Sequence, residues 1–117
     1  TRYRGHVVVL DFWAGWCDAC VRAVPAVGRL AQAYAANGLL VVGVDAGDKP
    51  TDAAAYARSL HIAYPVALDP DLALSDRIGA SELPMLIVLD RDGSIAYRTR
   101  HIDPQLLATV RMLLHAQ

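Results

Sequence analysis

Lysine is almost absent from this 117-residue chain: Lys49 is the only one, and every other basic side chain of this class is an arginine. The arginines are scattered, no block of like charge occurs, and the formal net charge is -1. That excludes the basic footprint on which nucleic-acid binding depends. Cysteine is scarce as well. The chain has two, Cys17 and Cys20, too few for a disulfide scaffold to stand in for a core. No apolar run approaches the ~18 residues that cross a bilayer, so the domain is not expected to span a membrane. The chain shows no signal peptide and starts at Thr1 rather than Met, which leaves room for an upstream segment. It contains no internal repeat, low-complexity tract or linker.

What is present is 55% hydrophobic and 20% charged residues, the balance of one globular domain over residues 1–117. Residues 7–13 read as a buried strand, with four aliphatics followed by Asp11 and two aromatics. Residues 18–36 read as a helix, since Val21, Val24, Val27, Leu30, Ala31 and Tyr34 recur at spacings of three and four. Pro25 should kink it, and Asn37-Gly38 should stop it. Residues 39–45 form a second buried strand, completing a parallel βαβ unit. Beyond a polar turn, Thr51 or Asp52 can cap a short helix ending near Leu60. Residues 64–68 are extended, and Asp69-Pro70 opens another short helix through Ile78. Residues 85–90 form a third apolar strand, Arg91-Asp92-Gly93 a hairpin turn, and residues 94–100 its antiparallel partner. Asp103-Pro104 has the form of an N-cap followed by proline at the first helical position. It begins a last helix with Leu106, Leu107, Val110, Leu113 and Leu114 on one face.

The segment from Phe12 to Cys20, FWAGWCDAC, lies where a buried strand ends and a helix begins. A thiolate, not a thiol, attacks a disulfide. A helix N-terminus lowers a cysteine's pKa through its free N–H groups and partial positive charge. Cys17 is therefore the expected nucleophile. Cys20, one helical turn on, can reach it and resolve a mixed disulfide. Two plainer readings compete. A structural zinc site would need two more ligands, and His6, His61, His101 and His115 are dispersed without paired spacing. An inert disulfide would close too small a loop to stabilise much by chain entropy. Asp11 is an ionisable group within an apolar strand, where burial should raise its pKa. Trp16, next to Cys17, is expected to be exposed as an apolar contact surface.

At these residues the chain resembles the thioredoxin superfamily, and over nearly its whole length the TlpA/ResA-like extracytoplasmic members. Val44-Asp45 followed by a long excursion through Tyr64-Pro65-Val66 and Leu68-Asp69-Pro70-Asp71 resembles that group's insertion between central strands. Leu83-Pro84 is similar to the superfamily's cis-proline loop, and the segment Asp90 to Ile95 to its hairpin. The implied fold is α/β: a central mixed sheet flanked by helices, with the TlpA-like insertion and without the N-terminal strand pair that usually precedes Arg4-Gly5-His6-Val7.

The resemblance also implies roles. Asp11 matches a buried acid that accepts the proton of the resolving cysteine. Pro84 would be cis, and Leu83 would pair its backbone with an extended substrate segment. His101 aligns with a glycine near the CxxC, where it would narrow the substrate groove and bring a titrating group towards Cys17; its plainer reading is an exposed loop residue. The chain departs from the family at Asp18-Ala19, where a proline is common in the second place, at Ala23, where some ResA-like members carry an acid, and at Met85, where a threonine is common. The implied activity is thiol–disulfide exchange on protein substrates outside the cytoplasm, with cytochrome c maturation a common task. No metal, nucleotide or flavin cofactor is implied, and electrons would come from a membrane thiol relay. The rival readings are a cytosolic general thioredoxin, a metal-binding module of the same fold, and a non-catalytic interaction domain.

Overall fold

Six consecutive buried residues, Val8–Trp13, form the central strand β1 in a computed structural model that describes residues 5–116. Strands with both faces covered read as unbroken apolar runs, and β1 is covered on both. Helix α1 follows over Asp18–Tyr34 and buries Cys20, Val24, Val27 and Leu30. Pro25 lies inside it, on the exposed side. A 3-10 turn over Ala35–Asn37 ends at Gly38, whose φ of +94° is the left-handed conformation that glycine adopts without steric cost. Strand β2, Leu40–Ala46, pairs parallel with β1 and places Gly43 beside Asp11 and Asp45 beside Trp13.

The excursion after β2 holds helix α2 (Pro50–Ser59), strand β3 (Val66–Asp69) and helix α3 (Ala73–Ile78). Two local expectations are corrected here. Helix α2 begins two or three residues earlier than a cap at Thr51 or Asp52 implies: Lys49 is its N-cap and Pro50 its first helical residue, because proline has no N–H to lose there and its φ already suits a helix. Asp69 does not open α3 but ends β3. Its carboxylate reaches forward to accept the N–H groups of Leu74 and Ser75 at 3.0 and 2.8 Å and the Ser75 hydroxyl at 2.7 Å, satisfying free donors of the first helical turn.

Strands β4 (Met85–Leu89) and β5 (Ile95–Thr99) form the expected hairpin, and α4 runs over Pro104–His115. The sheet order is β3-β2-β1-β4-β5, with β3, β2 and β1 parallel and β4 antiparallel to both its neighbours. Alternation along β1 splits the core. Val7 and Val9 pack with Val27 and Leu30 of α1 and with Leu106 and Val110 of α4, while Val8, Leu10 and Phe12 pack with Val42, Val44 and Ile87 on the α3 side. The sheet is mixed, flanked by helices, and α/β as expected. The N-terminal strand pair would precede these elements and lies outside the described residues.

Candidate active site

The carboxyl end of β1 runs directly into α1 through a tight turn in which Cys17 N–H donates to the Ala14 carbonyl at 3.1 Å. The turn is held from outside. Asp48, on the loop after β2, accepts the Gly15 N–H at 2.9 Å. Gly15 lies flat against the Tyr56 ring of α2, where a Cβ would overlap ring atoms. Cys17 is the N-cap of α1, and its Sγ accepts the Cys20 N–H at 3.2 Å. Cys17 and Cys20 form a disulfide with Cα atoms 5.2 Å apart.

The disulfide is packed from below and open at one edge. Cys17 is 7% exposed and Cys20 2%, in a cluster with Trp13 that includes Tyr56, Leu60 and Leu83. Trp16 is 67% exposed beside it. The Leu83–Pro84 peptide bond is cis, and Pro84 is buried. Between Trp16, Gly47, Leu72, Ala80 and Leu83 runs a shallow groove of about 410 Å³. The structure thus brings together Cys17, Cys20, Trp16, Leu83 and Pro84. His101 is exposed, and its main-chain N–H donates to Thr99 Oγ1 at 3.4 Å. The side chain that reaches the proline loop from this connection belongs to Arg100. It donates to the Leu83 carbonyl at 2.6 Å and the Pro84 carbonyl at 3.4 Å, and pairs with Glu82 at 3.0 Å.

The two central strands each carry a buried acid, Asp11 in β1 and Asp45 in β2. Asp11 accepts the Tyr64 hydroxyl at 3.3 Å. Burial pushes its carboxyl up to about 6 even though the Tyr64 bond opposes the rise, and burial together with the Asp11 charge pushes the Tyr64 phenol above its usual range. Asp45 has no solvent exposure and faces Asp48. Burial, reinforced by the nearby Asp48, raises it to about 7. Asp11, Trp13, Gly43 and Asp45 share one sheet face by register. Trp13 reaches back over Gly43, its Nε1 just 3.0 Å from where a Cβ would stand.

Sequence reasoning named Asp11 but not Asp45, Asp48, Tyr64 or Arg100. Asp45 carries the same signal as Asp11, an acid at the end of an apolar run. The other three act through partners 33, 53 and 17 positions away in sequence, and no local pattern marks them.

The redoxin family model matches residues 1–113. The chain belongs to the redoxin family. This redoxin is 27% identical over 95 residues to the thiol-disulfide oxidoreductase ResA of Geobacillus thermodenitrificans, a match covering 81% of the chain and 55% of ResA. It is 38% identical over 104 residues to protein DipZ of Mycobacterium tuberculosis, covering 85% of the chain and 14% of DipZ. The redoxin therefore spans about half the length of ResA and a small part of DipZ. Among solved structures it resembles a Chlorobium tepidum protein described as a thiol:disulfide interchange protein DsbE, at a TM-score of 0.88 and 28% identity, covering 97% of this chain and 83% of that one. The redoxin has the thioredoxin fold of the ResA-like group. No helix among its described residues is long and apolar enough to cross a membrane.

Proposed function

We propose that this redoxin is a thiol–disulfide oxidoreductase that exchanges disulfides with protein substrates outside the cytoplasm. One observation carries the reading: a disulfide whose first sulfur caps a helix N-terminus and accepts the Cys20 amide, beside an apolar groove. The name of ResA supports the reaction class.

In the reduced form the Cys17 thiolate is held by the Cys20 N–H and the positive end of α1. It attacks a substrate disulfide. One S–S bond breaks, a mixed disulfide forms, and the first substrate sulfur leaves as a thiolate. Cys20 then gives up its proton, with Asp11 as the acceptor, and attacks Cys17 Sγ. The Cys17–Cys20 bond forms and the second substrate thiolate leaves. Two electrons pass to the substrate, and its two thiolates take up protons from water. A carboxyl that ionises near pH 6 is a base at neutral pH, yet a better proton acceptor than an ordinary aspartate. Trp16 supplies apolar contact, and the Leu83 backbone receives the substrate chain by strand addition. Electrons return from a membrane thiol relay, as the ResA resemblance implies, and cytochrome c maturation is the task that resemblance favours.

The test is insulin reduction under dithiothreitol with three proteins. The native chain should accelerate it. Cys20→Ser should trap mixed disulfides, and Cys17→Ser should not. No acceleration over the dithiothreitol blank, or trapping by the Cys17 variant, overturns the assignment.

A further inference from the structure

The Leu83 side chain packs in the cluster around the two sulfurs, and ladder pairing of β4 begins only at Met85, opposite Phe12. The Leu83 main chain therefore lies outside the ladder, beside the disulfide cluster. Its carbonyl is occupied. Arg100 Nη2 donates to it at 2.6 Å while Nη1 of the same fork holds Glu82 at 3.0 Å. The base of the arginine is rigidly placed. Asp103 caps α4 by accepting the Leu106 N–H at 2.7 Å, and the Thr99 and Tyr97 hydroxyls both donate to its other oxygen at 2.9 Å. That clamp fixes the connection from β5 to α4 on which Arg100 sits. The head of the arginine carries one further bond, a long one from Nε to the Pro84 carbonyl at 3.4 Å, and it is open to solvent: the side chain is 47% exposed, and Glu82 65%.

We propose that Arg100 is a specificity-determining latch over the Leu83 carbonyl, which an extended polypeptide substrate must displace and a small disulfide need not. The inference rests on the function proposed above. A guanidinium presents its donors in a fork, so one nitrogen can release Leu83 while the other keeps Glu82. The displaced head then stays tethered at the rim of the groove, able to close again when the product leaves. A charge-assisted bond to a carbonyl is strong enough to tax docking.

The experiment compares reduction of insulin with reduction of bis(2-hydroxyethyl) disulfide by the native protein, Arg100→Ala and Arg100→Lys. Arg100→Ala should lower KM for insulin without a matching change in kcat. It should raise the insulin-to-small-disulfide ratio of kcat/KM about fivefold, equivalent to about 1 kcal/mol at 1.4 kcal/mol per tenfold. Arg100→Lys, whose single ammonium lacks the fork, should fall between the two. A ratio that stays level or falls in Arg100→Ala overturns the latch, while a native protein that reduces neither substrate overturns the proposed function itself.

Discussion

A carboxyl with one phenol for company costs free energy whenever it is charged, and Asp11 is such a group. Its ionisation near pH 6 rather than 3.8 fixes the sign of its effect on stability. Below about pH 3.8 both folded and unfolded chains carry the proton, and no penalty exists. As pH rises from there to about 6, the unfolded chain ionises first, and the folded chain loses stability relative to it. Above pH 6 the penalty is complete, up to roughly 3 kcal/mol. Asp11→Asn keeps an acceptor for Tyr64 and removes the charge. Urea unfolding should show it more stable than the native chain by as much as that at pH 8, and equal to it near pH 3.5. Resolution of a preformed mixed disulfide should slow by roughly a hundredfold at pH 7, the low end of general-base effects. A stabilised variant with a native resolution rate would make Asp11 a structural residue only.

The turn between β1 and α1 is an element whose shape depends on parts distant in sequence. Gly15 is pressed against Tyr56 and tied to Asp48, so the loop after β2 and helix α2 together set where α1 begins. Gly15→Ala should force the Tyr56 ring aside, with a loss of about 1–3 kcal/mol as for other overpacked sites, measurable by chemical denaturation. Tyr56→Ala in the same chain should recover part of that loss, and a double-mutant cycle without coupling would show that the two do not press on one another. Elements with strong periodicity are legible in the sequence. The run ending at Trp13, the three-and-four spacing from Val21 to Tyr34, and Asp103-Pro104 each mark an element the structure contains. The start of α2 is not legible there, because Pro50 sits at N1 without any side-chain cap bond. Nor is the end of β3, because the Asp69 carboxylate reaches the amides of α3 from four residues before the helix.

Over the whole molecule two opposed sets of carboxyls shape stability against pH. Asp11 and Asp45 are raised by burial and penalise the folded state as pH climbs from about 4 to 7. Asp69 and Asp103 are lowered, the first by Ser75 and the amides of α3 against the cost of burial, the second chiefly by the Leu106 amide. Their contribution is present above the unfolded carboxyl range and is lost as pH falls below it. The native chain should therefore be most stable near pH 4–5 and lose stability towards pH 8. The double variant Asp11→Asn with Asp45→Asn should flatten that decline in a thermal melt series. A decline of unchanged slope would mean that both carboxyls ionise in the folded chain as they do in the unfolded one, at the ordinary aspartate value.

By itself, the order of residues determined the βαβ unit, the position of the cysteine pair at a helix start, and an ionisable group in the central strand. Each depends on spacing within about twenty residues, the range over which periodicity and capping act. Tertiary structure decided the rest. It set Tyr64 on Asp11, buried Asp45 against Asp48, and laid Arg100 rather than His101 across the Leu83 carbonyl. These are pairings between strands and loops brought together by sheet order, and side-chain direction at the end of β5 turns on a single residue of register.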